Sequence, residues 1–176
     1  MLDSFQRIDN KIMDFIESYL QFPLLDKLMT IITWMGNGGL VWSVLSIFLI
    51  YSNDYRMLGY RVIISLILTA IVGEGIIKHL IRRARPFIKI DQGTLLISKP
   101  MTYSFPSGHA ASSFSVVGVF IIQNSDMSIY IISLAFLIAF SRLYLKVHYT
   151  SDVLIGIILG LLCSIVVCSF FNTMSF

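Results

Sequence analysis

SRLYLKVHYTSD, Ser141 to Asp152, runs without a break into VLIGIILGLLCSIVVCSFF, Val153 to Phe171. The second part is an apolar run close to the roughly 20 residues that a helix needs to cross a bilayer. The first part sets an arginine, a lysine, a histidine and an aspartate at its mouth, where charge is expensive. If the chain is helical around His148, Asp152 lies one turn further along the same face. A carboxylate there can accept the proton of one imidazole nitrogen and leave the other as an oriented nucleophile or base. Arg142 adds a planar cation suited to phosphate. A plain interfacial helix end, with Arg142 and Lys146 snorkelling to the surface and His148 satisfied by its neighbour, explains the same residues. This stretch alone leaves both readings open.

The rest of the chain is as apolar as that run. Of 176 residues, 56% are hydrophobic and 13% charged, and the mean hydropathy is +0.82. Soluble domains carry about 25% charged residues, so residues 1–176 read as one domain of an integral membrane protein. A net charge of +3 is too small to indicate nucleic acid, and no nucleic-acid partner is expected. Basic residues concentrate instead between Lys78 and Lys99, where they can serve a local anion. Cys163 and Cys168 stand five apart on one expected helix and turn to different faces, which excludes pairing with each other. No cysteine spacing suits a metal, and no metal or cofactor is expected.

Periodicity gives an all-α, polytopic layout. Phe5, Ile8, Ile12, Phe15, Ile16 and Tyr19 recur at helical spacing among charges, so residues 1–21 read as an amphipathic helix on the membrane surface, with packing against another helix as the alternative. Nothing in this segment looks cleaved. Residues 22–176 then read as six transmembrane helices. Leu24 to Met35 and Leu40 to Tyr51 flank Gly36-Asn37-Gly38-Gly39 and read as a helical hairpin. Gly59 to Ala84 forms a third helix, ended by Pro86. A polar surface loop, Phe87 to Phe105, leads to helices over Ser107–Gln123, Met127–Leu145 and Tyr149–Phe171.

Two further clusters sit at the ends of these helices. Lys78 and Arg85, seven apart, project from one face of the third helix and can reach one anion. Arg82 could join them, whereas Arg83 points elsewhere. Glu74, one turn before Lys78, solves its own burial by pairing with that lysine and positioning it; His79 reads as structural. Tyr103-Ser104-Phe105-Pro106-Ser107-Gly108-His109 looks like a phosphate-binding helix start. Pro106 ends the loop, Ser107 caps the helix, Gly108 lets N–H groups approach an anion, and His109 can give a proton to a departing oxygen. With helices alternating in direction, all three clusters fall on one membrane face.

The ordered set resembles the type 2 phosphatidic acid phosphatase family. Lys78, six residues, then Arg85-Pro86 is similar to its first motif; Pro106-Ser107-Gly108-His109 to its second; and Ser141-Arg142, His148 and Asp152 to its third. The resemblance implies a metal-independent lipid phosphatase. His148 would form a phosphohistidine, with Asp152 holding its other nitrogen and His109 as acid and then base. Lys78, Arg85, Ser107, Gly108 and Arg142 would hold the phosphoryl oxygens, with Glu74, Pro86, Pro106 and Ser141 in support. The partners it implies are a lipid phosphate substrate and the bilayer itself. Small bacterial members point to undecaprenyl diphosphate, with phosphatidic acid and phosphatidylglycerol phosphate as alternatives.

The resemblance also implies a multi-pass protein of the bacterial cell membrane with an extracytoplasmic site. On the six-helix layout, eight basic residues lie on the site face and five, including Arg7, Lys11 and Lys27, lie opposite. Removing Lys78, Arg85 and Arg142, which the chemistry explains, leaves five on each side, so the positive-inside rule decides nothing. Two readings from other classes compete: a vanadate-binding haloperoxidase, whose anion pocket is similar but whose hosts are soluble, and a lipid-phosphate binder or transporter without chemistry. A nucleophile with an orienting carboxylate is more than binding requires.

Overall fold

A computed structural model describes residues 2–89 and 95–174, and among them it is all-helical, without strands. In chain order the helices are α1 (Leu2–Leu20), α2 (Pro23–Met35), α3 (Leu40–Tyr51), α4 (Arg56–Ile81), α5 (Pro86–Lys89), α6 (Gly108–Ile122), α7 (Ser128–Tyr144) and α8 (Thr150–Met174). Helices α4 and α8 are each long and apolar enough to cross a membrane; α6 and α7 are shorter apolar helices. Large apolar side chains such as Phe48, Ile67, Leu80, Phe136 and Val166 stand exposed on their outer faces, as a hydrocarbon surround allows.

The expected hairpin over residues 24–51 is not formed. Gly36 to Gly39 does break the helix, with Gly38 at φ 58° and Gly39 at φ 70°, a left-handed geometry that glycine adopts at little cost. The axis, however, turns by only 47° from α2 to α3, so the two helices make one bent path rather than reversing. This moves α1 and α2 to the same end of the molecule as the three clusters. The packing agrees: Lys146 pairs with Glu17 at 2.6 Å, and Tyr144 donates to Asp26 Oδ1 at 2.5 Å.

Helix α1 buries Asp9, Met13 and Ile16, positions that recur at helical spacing, against α7 and α8. Ile8, Phe15 and Tyr19 remain exposed. Its apolar residues therefore serve two faces, one turned to the protein and one turned outward.

Helices α6 and α8 pack backbone to backbone. A Cβ on Gly156 would lie 2.7 Å from the Ser107 carbonyl oxygen, and one on Gly160 would overlap the Ala111 carbonyl and come within 2.7 Å of the Ser115 nitrogen. Small residues permit such approach between helices that lack a hydrophobic drive in lipid. The Ser107 N–H donates to the Asp152 carbonyl at 3.0 Å, so this seam fixes the start of α6 against the start of α8. Trp42, fully buried, donates from Nε1 to Ser113 Oγ at 3.0 Å and ties α3 to α6.

Helix α4 departs from regularity near the clusters. Ile71–Ile77 is wound as π-helix, and the helix stops at Ile81, with Arg82 at φ 50°. Pro86 does not end it; Pro86 opens the short α5, where its missing N–H costs nothing.

Candidate active site

Lys78, Arg85, His109, Arg142 and His148 line one cavity of about 790 Å³, together with Glu74 and Gly108. All of the expected phosphate-handling cations are therefore brought together, although Lys78 and Arg85 do not share a helix face. From Arg82 to Arg85 the chain is not helical, and Arg85 is held by the loop after α5. Its Nε donates to the Thr102 carbonyl at 2.7 Å, its Nη2 to Thr102 Oγ1 at 3.2 Å, and its Nη1 to the Val147 carbonyl at 2.8 Å.

His148 lies in the turn between α7 and α8, 2% exposed. Its Nδ1 is 2.7 Å from the Ser104 carbonyl, which can only accept, so Nδ1 carries the proton. Its Nε2 lies 3.1 Å from Arg85 Nη1, a donor, and is therefore the unprotonated nitrogen. Burial, with Arg142 and Arg85 close by, pushes the imidazole down to about 3 despite Asp152. The ring is thus neutral and nucleophilic at neutral pH.

Asp152 does not take the Nδ1 proton directly, as expected from the sequence. Its Oδ2 stands 3.7 Å from Nδ1 because α8 begins at Thr150, so the two residues are not a helical pair. Oδ2 accepts from Ser104 Oγ at 2.6 Å and from the Tyr149 N–H at 2.9 Å. Oδ1 accepts from Arg83 Nη1 at 2.5 Å. Ser104 thus stands beside both members, its carbonyl on His148 and its hydroxyl on Asp152; the sequence placed it in the Tyr103 to His109 stretch but gave it no role.

One expectation on the basic run fails: Arg82 turns away, its Nε donating to the His79 carbonyl at 2.9 Å. Arg83, expected to point away from the anion, stays out of the cavity lining, but it binds Asp152 and also Asp9 Oδ2 at 2.8 Å, a role that the sequence did not suggest. Burial disfavours charge on Arg83, but Asp9 and Asp152 outweigh it and raise its pKa above the ordinary value.

His109, in the first turn of α6, faces the break in the α2–α3 path. Its Nε2 is 3.2 Å from the Thr33 carbonyl and 3.0 Å from Asn37 Oδ1, both acceptors, which locates a proton at Nε2. Asn37, read from sequence only as part of a turn, is therefore an orienting partner. Ser107 caps α6, accepting from the Ala110 N–H at 3.5 Å. At Gly108 any side chain would collide with Glu74 Oε1. That carboxylate also pairs with Lys78 Nζ at 2.5 Å, as expected. Arg142 donates from Nη1 to Thr33 Oγ1, and its buried Nε has no partner among the described residues. Ser141 is buried and bonds its own helix, at the Ile138 carbonyl, 2.7 Å away; Pro86 and Pro106 are buried supports. His79, read as structural, bonds the Glu74 carbonyl at 3.0 Å. Among the described residues, no group of three or more His, Cys, Asp or Glu side chains could hold a metal ion.

A neutral nucleophile, a histidine carrying a proton, three cations and a helix N-terminus around one cavity can attack, protonate and stabilise a phosphoryl group. Comparison with known proteins points the same way. The PAP2 superfamily profile matches residues 58–175. An undecaprenyl-diphosphatase of Sulfolobus acidocaldarius is 32% identical over 145 residues, covering 81% of this chain and 69% of the relative. A phosphatidylglycerophosphatase B of Bacillus subtilis is 32% identical over 152 residues, covering 80% and 72%. The crystal structure of a transmembrane PAP2-type phosphatidylglycerolphosphate phosphatase from Bacillus subtilis superposes with a TM-score of 0.78 at 25% identity, over 98% of this chain and 88% of that one.

Proposed function

The chain belongs to the PAP2 superfamily, and on that premise we propose that it is a membrane lipid phosphatase working through a phosphohistidine on His148. The observation that carries this reading is the Nε2 of His148, unprotonated and in a cavity lined by Lys78, Arg85 and Arg142. As that nitrogen attacks phosphorus, Arg85 hands its N–H from Nε2 to a phosphoryl oxygen. An N–P bond forms and the P–O bond from that phosphorus to the leaving group breaks, the leaving group being a lipid monophosphate when the substrate is a diphosphate and a lipid alcohol when it is a monoester. His109 enters the step as the imidazolium, gives one proton to the departing oxygen and is left neutral. The phosphorylated ring keeps its Nδ1 proton and is cationic; the Ser104 carbonyl and the Asp152 carboxylate face that charge. Water then attacks phosphorus and gives a proton to His109, the N–P bond breaks, and phosphate leaves. Lys78, Arg142, Ser107 and the Gly108 N–H share the charge on the phosphoryl oxygens in both steps.

The proposed substrate is undecaprenyl diphosphate, with phosphatidylglycerol phosphate or phosphatidic acid as the alternatives; relatives named for the first two are equally identical to this chain, at 32%. The α2–α3 path, α4, α6, α7 and α8 make five crossings rather than six, with α1 at the interface beside the site. The site faces the extracytoplasmic side of a bacterial cell membrane, as the resemblance implies.

Phosphate release from detergent-solubilised lipid phosphates tests the chemistry. Release is expected to persist in chelator and to fall to background in His148→Ala. Unchanged turnover in that variant, or loss on chelation, overturns the mechanism. Ranking the three lipids by kcat/KM in the same assay identifies the substrate.

A further inference from the structure

Asp9 is a carboxylate only 2% exposed, on a helix where Arg7, Lys11 and Asp14 stand exposed. Burying a carboxylate is costly unless it is fully bonded, and this one is. Its Oδ1 accepts from the Ser151 N–H at 2.9 Å, and its Oδ2 from Ser151 Oγ at 2.6 Å and from Arg83 Nη2 at 2.8 Å. A side chain of α1 therefore engages an N–H in the first turn of α8, the helix that carries Asp152.

Arg83 joins this carboxylate to the site. One side of its guanidinium bonds Asp9; the other donates from Nη1 to Asp152 Oδ1 at 2.5 Å and to Ser151 Oγ at 2.7 Å. Its Cζ lies over the Tyr149 ring, 4.0 Å from the centroid, a cation–π contact that helps to hold the guanidinium in place. With Oδ1 so held, Asp152 turns its Oδ2 to Ser104 and stands 3.7 Å from the His148 ring. Arg83 does not line the cavity, so it acts through Asp152 rather than on substrate.

We propose that Asp9 and Arg83 are positioning residues for the reaction: α1, through Asp9, holds Arg83 as a clamp on Asp152, which makes the N-terminal helix part of the catalytic apparatus. The inference rests on the phosphohistidine reading above. The charges give it a direction. Arg83 is shared between two carboxylates, so Asp152 keeps negative charge facing the imidazole that becomes cationic on phosphorylation. If Asp9 is neutral, Arg83 is spent on Asp152 alone and that ring loses part of its stabilisation. Substrate binding uses other residues, so the loss falls on kcat and spares KM.

The test uses the full chain in detergent with the lipid phosphate it hydrolyses best, and compares Asp9→Asn, Arg83→Gln, Arg83→Lys and the double variant Asp9→Asn/Arg83→Gln. Asp9→Asn is nearly isosteric and is expected to lower kcat on the order of tenfold with KM unchanged. Arg83→Gln is expected to lower it further, and Arg83→Lys, which keeps the buried charge, to recover part of the loss. The double variant is expected to be no slower than Arg83→Gln, because Asp9 acts through Arg83. A lowered thermal midpoint with unchanged kcat in Asp9→Asn and Arg83→Lys would make the network a structural anchor and overturn the proposal. A raised KM with unchanged kcat, or additive losses in the double variant, would overturn it as well. Wild-type protein that releases no phosphate, or His148→Ala that still does, would instead overturn the reading on which it rests.

Discussion

Glu74 presents its carboxylate where an anion is to be bound. Its Oε1 pairs with Lys78 Nζ and rests against Gly108 at the N-terminus of α6, ground that favours negative charge. An incoming phosphate must take Lys78 from it. Lys78 is buried, but the Glu74 side chain is 45% exposed, and solvent screening at the carboxylate keeps such a pair to about 1 kcal/mol, so Glu74→Gln is expected to lower KM, and the inhibition constant of inorganic phosphate, by up to about fivefold. A raised KM would show that orienting Lys78 matters more than vacating it. His148 supports a second prediction, in pH. Its imidazole takes a proton near 6.5 when unfolded but only at about 3 when folded. Between these values the unfolded chain binds the extra proton, so stability falls as pH falls through that window. Thermal midpoints of wild type and His148→Gln are expected to diverge, with the variant losing fewer degrees on acidification. Parallel curves would show that His148 does not carry the effect. The ionisable members of the site were legible because a membrane chain keeps charge only where it is used. Ser104 was not, since its carbonyl has no sequence signature. The contact of Arg83 with Asp152 was not foreseen, and Lys78 and Arg85 were placed on one face, because a helical projection was carried past Ile81, where the helix had ended.

At the scale of elements, the apolar runs of α4, α6, α7 and α8 were legible with ends close to those observed, because length and hydropathy suffice in lipid. The fate of Gly36 to Gly39 was not. Glycine-rich sequence announces a break but carries no angle, and 47° rather than reversal follows from what α2 packs against. The break does more than bend. A Cβ on Gly36 would lie 2.7 Å from His109 Cδ2 and 2.8 Å from Ile138 Cγ2, so the bare backbone at the end of α2 leaves room for the imidazole of the acid. Gly36→Ala is expected to push that ring off Thr33 and Asn37 and to lower kcat by about tenfold or more, with the thermal midpoint little changed. Wild-type kcat in a folded Gly36→Ala protein would show that His109 tolerates displacement, and its role as acid would need another geometry.

For the whole molecule, replacing the hairpin by a bent crossing changes which ends share a face. Arg7, Lys11 and Lys27 join the site, because Asp9 bonds Ser151, Glu17 pairs with Lys146, and Asp26 accepts from Tyr144. On the proposed five-crossing layout, eleven of the thirteen basic residues would lie on the site face, with Arg56 and Arg61 opposite. Five of the eleven are engaged by the site and its supports: Lys78, Arg83, Arg85, Arg142 and Lys146. The remaining six against two still argue for a cytoplasmic site under the positive-inside rule, against the extracytoplasmic placement that the resemblance implies. One labelling experiment decides both span number and side. Single cysteines at Arg7, Asn53, Lys99 and Asp126, all exposed, are treated in intact cells with a membrane-impermeant maleimide; Cys163 and Cys168 are buried. Five crossings require Arg7→Cys to label with Lys99→Cys, and Asn53→Cys to behave like Asp126→Cys. Six crossings with a hairpin would instead group Arg7→Cys with Asn53→Cys. An extracytoplasmic site requires the Arg7→Cys and Lys99→Cys pair to be the one labelled before lysis; protection of that pair until lysis would place the site in the cytoplasm and leave the charge bias as the better guide.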